Sequence, residues 1–170
     1  TLLACLFMAC QDSSKLVISD LQCEYLDAPL AIDNTTPHFG WKMTCGQKGT
    51  SSSAYQLLVA TELDKLNEEE ADLWNSGKVS SDTSIGIAYG GKALTSRTQA
   101  YWKVRVWNQA DVASEWSKPS SFGIGMLSEN DWSAEARFIG VEQADENSQS
   151  APLLRKSFTY EPSKGKALLS

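Results

Sequence analysis

Period-two alternation of apolar and polar side chains is the first regularity along this chain. It is cleanest at Phe39-Gly40-Trp41-Lys42-Met43-Thr44-Cys45, where every odd position is apolar and the positions between are small or polar. Successive side chains of a β-strand point to opposite faces, so this run predicts a strand with one buried face. Upstream, Leu16 to Glu24 can form a first strand, and Pro29 with Asp33-Asn34-Thr35-Thr36-Pro37 marks a loop before the second. Ala54-Tyr55-Gln56-Leu57-Leu58-Val59-Ala60-Thr61 is apolar on both parities near its middle, which predicts a strand lying centrally in a sheet.

Between Glu62 and Asp72 the pattern changes. Leu63 and Leu66 stand at helical spacing and Glu68-Glu69-Glu70 follows, which predicts a helical turn with a solvated acidic face rather than a calcium site. Asn75-Ser76-Gly77 makes a turn before Lys78-Val79, and Ile85 to Tyr89 alternates again before the Gly90-Gly91 turn, giving two more short strands. Tyr101-Trp102-Lys103-Val104-Arg105-Val106-Trp107 is the strongest β segment. Trp102, Val104 and Val106 share one face, while Tyr101, Lys103, Arg105 and Trp107 form an amphipathic, partly wet second face. Asn108 to Ala113 is a turn, and Ser114-Glu115-Trp116-Ser117 with Phe122 supplies a last strand. About seven short strands at this spacing, with no βαβ alternation, predict an all-β sandwich of the immunoglobulin or fibronectin type III kind over residues 16–126.

Beyond Gly125 the composition turns polar and acidic, so residues 127–150 read as a linker. Leu153 to Tyr160 then predicts a new strand, and Ala167-Leu168-Leu169 a further apolar element, so residues 151–170 are expected to open a second β domain that continues past them. At the other end, Thr1 to Cys10 is an apolar run too short to span a bilayer, with neither an initiator Met nor a basic region before it. The sequence is therefore expected to begin inside a longer one. A small residue and Cys at Phe7-Met8-Ala9-Cys10, followed by polar residues 11–15, is similar to the end of a bacterial lipoprotein signal peptide, with residues 1–10 the signal remnant and lipid attached at Cys10. An ordinary cleaved signal is the alternative. Multiple acyl chains would anchor such a Cys stably, each buried methylene contributing about 0.8 kcal/mol.

Charge narrows the partners. With 15 Lys and Arg scattered among 21 Asp and Glu, net −6, the chain has no stripe of cations to track nucleic-acid phosphates. Of the 4 cysteines only Cys23 and Cys45 fall in the folded region, where they could pair. Tyr101 to Trp107 carries no Cys, so the inter-sheet disulfide of immunoglobulin domains has no partner there. Cys23, His38 and Cys45 lack the close paired spacing of a zinc site, and His38 reads as a strand-end residue. The Asn34-Thr35-Thr36 sequon is read as chance, and nothing in the sequence implies a cofactor. Trp41 and Trp102 share parity with apolar neighbours and belong in the core, while Trp74, Trp107, Trp116 and Trp132 are expected on a surface or an interdomain seam.

Several phrases taken together carry a family resemblance. They are Leu21-Gln22-Cys23-Glu24-Tyr25-Leu26, Pro37-His38-Phe39-Gly40-Trp41, Ala54-Tyr55-Gln56-Leu57-Leu58-Val59-Ala60, Asp72-Leu73-Trp74-Asn75-Ser76-Gly77-Lys78-Val79, Tyr101 to Trp107, and Asp131-Trp132. In order and spacing they resemble the N-terminal region of bacterial α-L-rhamnosidases. Pro152 to Phe158 resembles the start of that family's next module, a jelly-roll-like β domain. The resemblance implies a secreted parent enzyme that hydrolyses terminal α-L-rhamnose from glycans or glycosides with inversion, on an α/α barrel these residues do not include. It implies no catalytic residue here, and the downstream domains of the same chain as partners. Inverting hydrolysis needs two carboxyl groups about 6.5–9.5 Å apart across a cleft, and the acidic residues here fall in loops. A noncatalytic accessory domain is thus the leading expectation, and a standalone surface lipoprotein with a protein- or glycan-binding sandwich the alternative. One departure from the fibronectin pattern stands out. Counting from Leu94, the corner tyrosine position holds Ala100, with Tyr101 one place later, so the corner hydrogen bond is expected to be missing or shifted.

Overall fold

The computed structural model describes residues 15–137, 153–157 and 159. The chain divides into two compact units, Thr1–Leu127 and Ser128–Ser170. In the first, eight strands run in order: β1 (Leu16–Cys23), β2 (His38–Cys45), β3 (Ser52–Ala60), β4 (Trp74–Asn75), β5 (Val79–Ser80), β6 (Ile87–Ala88), β7 (Gln99–Asn108) and β8 (Ser120–Gly123). They build a three-stranded sheet, β1-β2-β6, facing a five-stranded one, β4-β3-β7-β8, in which β5 also pairs with β3. All of these pairings are antiparallel, and the all-β sandwich expected from the alternation is the fold observed.

Each sheet presents one apolar face inward. Phe39 and Trp41 of β2 meet Tyr55, Leu57 and Val59 of β3 and Trp102, Val104 and Val106 of β7, with Phe122 of β8 closing the core. Phe39 is the hub: its ring centroid lies 4.5 Å from Trp102, 5.6 Å from Phe122 and 6.4 Å from both Trp74 and Tyr89. Offset and edge-to-face rings at such spacings attract beyond what their buried area alone supplies. The opposite face of β3 and β7 carries a second, smaller cluster in which Leu58, Ala60 and Leu66 pack with Ala71, Tyr101 and Trp116. This explains the apolar double parity of β3, which is covered on both sides.

Two bulges adjust the faces. In β1, Ser19 opposes Lys42 and Gln22 opposes Gly40, so three steps on one strand match two on the other. Asp20, at φ 49°, sits in the extra residue. The inserted residue reverses parity. Leu16 and Ile18 point inward before it, Leu21 and Cys23 after it. The second bulge lies at Ser53 between Ser52 and Ala54, and the Ser53 hydroxyl donates to the Asn108 carbonyl at 2.7 Å.

Several expectations need correction. Leu63 and Leu66 do not share a buried face, because residues 62–71 form successive turns rather than a helix; Leu66 is buried and Leu63 is 53% exposed. Ile85 lies outside β6 and is exposed, the chain turning at Gly86 with φ 71°. Ser114 to Ser117 is not a strand. Instead the Ser114 and Ser117 amides donate to the Val106 and Val104 carbonyls (2.8 Å each), and their hydroxyls accept from the Val106 and Val104 amides (3.1 Å each). Two serines thereby satisfy the edge of β7 with side-chain oxygens where a strand would use carbonyls. Trp74 is packed against the core and Trp107 is buried, so neither lies on an open surface. Of the strand expected over residues 153–160, residues 153–157 and 159 are described and carry no strand assignment, and the rest lies outside the described residues.

A Cys23–Cys45 disulfide is excluded by register. Cys45 opposes Leu16 at one end of the β1–β2 ladder, while Cys23 opposes Phe39 at the other. Ala100, at the corner position, fills the core; before it in the chain the Tyr89 hydroxyl donates to the Lys92 carbonyl at 2.8 Å.

The core analysis predicts that Phe39→Ala and Trp41→Ala each destabilise by about 3–5 kcal/mol in urea unfolding, the range for truncating a buried aromatic. Val17→Ala, on the exposed side of β1, is expected within about 0.5 kcal/mol of wild type. A loss below about 1 kcal/mol for Phe39→Ala would remove it from the hub.

Candidate functional site

Charged and polar side chains gather at three places in the first unit. The first is the turn that follows β1. Cys23 and Leu26 exchange both backbone hydrogen bonds at 3.0 Å, closing a two-residue hairpin turn with Glu24 at φ 51° and Tyr25 at φ 62°. Both central residues are left-handed, a conformation that hairpin turns usually give to Asn or Gly. The Glu24 carboxylate holds the turn in place by accepting from the His38 amide (2.7 Å) and the Asn34 side-chain amide (2.9 Å), with His38 Nδ1 at 3.0 Å. Partial burial pushes the Glu24 pKa up, but these His38 and Asn34 contacts outweigh it and hold the carboxyl below its usual value.

The second place is a ladder of cations and indoles across the outer face of β7. Lys78 Nζ lies 4.8 Å from the centre of Trp107, the Arg105 guanidinium 4.9 Å from Trp107 and 4.6 Å from Trp116, and Lys103 Nζ 4.9 Å from Trp116. Arg105 also donates to Gln56 Oε1 (2.8 and 3.1 Å) and pairs with Glu68 (2.8 Å). Buried Gln56 thus has its acceptor filled, and its amide donates to Asn75 at 2.8 Å. Burial lowers the Lys103 pKa, with nearby Glu68 opposing and Arg105 adding to the effect. Cations of β7 and Lys78 thus stack on both indoles, and the ladder fastens the 114–117 segment to β7.

The third is an open groove of about 660 Å³ between the free edge of β1 and the start of β8, lined by Ile18, Asp20, Leu21, Lys42, Lys118 and Pro119 among others. Asp20 and Lys42, both lining it, pair at 3.0 Å. None of its lining residues is aromatic.

These carboxylates are built as acceptors. Asp72 accepts from the Thr61 amide (2.8 Å) and hydroxyl (2.7 Å); burial works to raise its pKa, and the Thr61 bonds with Lys65 lower it. Glu115 is lowered by its hydrogen bond and ion pair with Lys15. Glu24, Asp72 and Glu115 are therefore all held ionised, the opposite of the raised pKa a glycosidic general acid needs. Burial pushes the Cys23 thiol up to about 12, which leaves it unreactive as a thiolate. Among the described residues, no group of three or more His, Cys, Asp or Glu is placed to hold a metal. Cys10 lies outside the described residues. Sequence reading missed the Glu24–His38–Asn34 and Arg105–Gln56–Glu68 networks, whose members, in strands and in the turns and loops between them, become neighbours only in the folded chain.

Because the folded-state pKa of Glu24 lies below its unfolded value, its stabilisation is fully present above the ordinary Glu range and is lost as pH falls through the folded value. Glu24→Gln should therefore cost about 1.5–3 kcal/mol at pH 7, the worth of hydrogen bonds to a charged group. The gap from wild type should narrow on acidification, as measured by chemical denaturation at several pH values. A gap independent of pH would show that the charge of Glu24 does not hold the turn.

Comparison with known proteins follows the same outline. The family model described as "Rha78A-like, N-terminal immunoglobulin domain" matches residues 18–128. An α-L-rhamnosidase of Formosa agariphila is 43% identical over 142 residues, covering 81% of this chain and 15% of that protein. The crystal structure of Streptomyces avermitilis α-L-rhamnosidase complexed with L-rhamnose superposes with a TM-score of 0.66 at 39% identity, over 69% of this chain and 11% of that one. The α-L-rhamnosidase of Dictyoglumus thermophilum gives 0.66 at 35% identity, over 71% and 14%. The chain thus spans about 15% of the length of the Formosa relative. With the sandwich, the core strands and the matched span in agreement, this chain belongs to the family of Rha78A-like N-terminal immunoglobulin domains.

Proposed function

We propose that this chain is the noncatalytic N-terminal accessory region of a secreted α-L-rhamnosidase, whose catalytic barrel, elsewhere in the polypeptide, releases terminal α-L-rhamnose by inverting hydrolysis. One observation carries the reading: the match covers 81% of this chain but only 15% of the Formosa relative, so most of that enzyme lies beyond the homologous region. The carboxylates here add support, because those with perturbed pKa values are stabilised in the ionised form by hydrogen bonds and ion pairs. The domain's work is then mechanical. Its sandwich folds, spaces and orients the modules that follow, and its substrate-directed role is indirect. Export, with acylation of Cys10 at Phe7-Met8-Ala9-Cys10, belongs to the same reading and would hold the enzyme at the cell envelope.

Two measurements test it. Purified residues 11–170 should release no p-nitrophenol from p-nitrophenyl α-L-rhamnopyranoside above the buffer rate, whereas the full-length protein should hydrolyse it with inversion at the anomeric carbon. Turnover by the fragment that survives repurification would overturn the noncatalytic assignment, and an inactive full-length protein would favour a binding lipoprotein instead. Labelled palmitate should enter the full-length protein in its host and be lost in Cys10→Ala; equal labelling of the two would refute acylation at that residue.

A further inference from the structure

The turn after β1 is unfavourable for its own sequence. Glu24 and Tyr25 both adopt left-handed backbone at φ 51° and 62°, and Ala28 follows at φ 44°. Left-handed non-glycine residues persist only where the surroundings over-determine them, and they cluster at functional positions. Here the determinant is visible: the Glu24 carboxylate bonds His38 and Asn34 and fixes the turn against β2. What this geometry achieves is display. Tyr25 is 66% exposed, Leu26 54% and Leu30 65%, all on one short segment, and Ile85 (61%) flanks the same shallow cleft as Tyr25 beside His38 and Gly40. Large apolar side chains exposed by half to two-thirds within one six-residue stretch, with Ile85 beside Tyr25, are of the kind that marks an interaction site.

Strand pairing shows which end. Cys23, His38, Gln99 and Gly123 lie together, where β1 and β8 finish and β2 and β7 start. The Gly123 amide donates to the Pro29 carbonyl at 2.9 Å, and Ile32 bridges to Ile124, so residues 29–32 are hydrogen-bonded to the very strand by which the chain leaves the sandwich. A side chain at Gly123 would meet the Leu30 carbonyl at 2.1 Å, so this approach depends on glycine. A surface at the exit end sees the later part of its own polypeptide at a far higher effective concentration than any free partner.

We infer that the segment Tyr25–Leu30, with Ile85, is the docking face through which this domain holds a later module of the same polypeptide, one offering an apolar surface with a hydrogen-bond acceptor for the Tyr25 hydroxyl. The inference rests on the rhamnosidase reading. It adds a specific surface and a role for the left-handed turn at which Tyr25 and Leu26 are exposed.

Hydroxyl-radical footprinting of the unmodified proteins is the test. In the full-length protein, oxidation of Tyr25 and Leu26 should fall at least about five-fold relative to the 170-residue chain, while Leu63, exposed in the 62–71 turns, changes little. Tyr25→Ser with Leu26→Ser in the full-length protein should then raise protease nicking after Leu127 several-fold, with p-nitrophenyl rhamnoside turnover recording whether the catalytic part stays folded. Equal Tyr25 and Leu63 protection in an active full-length enzyme overturns the docking face alone, whereas an inactive full-length protein counts against the rhamnosidase reading. Protection of Tyr25 that rises with concentration in the 170-residue chain overturns it in favour of a second copy.

Discussion

Everything in this sandwich depends on one contact between its sheets, Phe39 of β2 against Trp102 of β7 with ring centroids 4.5 Å apart. Both side chains are buried at the centre of their strands' inner faces. An aromatic of this size removes about 150–250 Å² from water, worth roughly 4–6 kcal/mol at about 25 cal/mol per Å². That outweighs the about 1–3 kcal/mol cost of the buried Trp102 indole N–H, which has no acceptor among the described residues. Around this pair the short strands acquire a reason to exist. β4 and β6 hold only two residues each, too few to be stable alone, yet β4 stacks Trp74 near Phe39 and β6 leads directly into Tyr89, which meets Phe39 in a T-shaped arrangement.

How much of this was legible in the sequence follows from the range of each force. Local alternation is a backbone property, so β2, β3 and β7 could be read directly, along with the inward set Trp102, Val104 and Val106. The parity reversal in β1 could not, because a bulge at Asp20 is decided by the partner strand and leaves no local mark of the kind Gly or Pro would. Trp107 was misread for a related reason. Its parity places it on the wet face, and only the tertiary stack with Lys78 and Arg105 buries it. Leu63 erred in the other direction: helical spacing with Leu66 is present, but a run of side-chain and turn hydrogen bonds around Asn67 competes with helix formation. The family phrases were legible because they combine core positions with turn positions, and both are fixed by this fold.

The chemistry of the acidic residues makes the same division of labour visible at atomic scale. A carboxylate can serve either as a proton donor poised near neutrality or as a permanent acceptor for backbone and cations, and its surroundings decide which. Glu24 fixes a turn, Asp72 ties the end of β3 to the start of the β4 region, and Glu68 completes the Arg105 network. Committed in this way, these carboxylates contribute rigidity to the sandwich.

The serine pair along β7 has a consequence for how such a domain behaves among many copies of itself. A sandwich is an open structure, and an unpaired strand edge invites another chain to add to it. Where β8 ends its pairing at Trp102, the next two amides of β7 that face outward, those of Val104 and Val106, are already taken by Ser117 and Ser114 hydroxyls. The stacked Trp116 between them keeps that segment in place. A neighbouring molecule finds no donors at Val104 or Val106 to recruit, so this stretch of the edge resists the intermolecular strand growth to which open sandwiches are otherwise exposed.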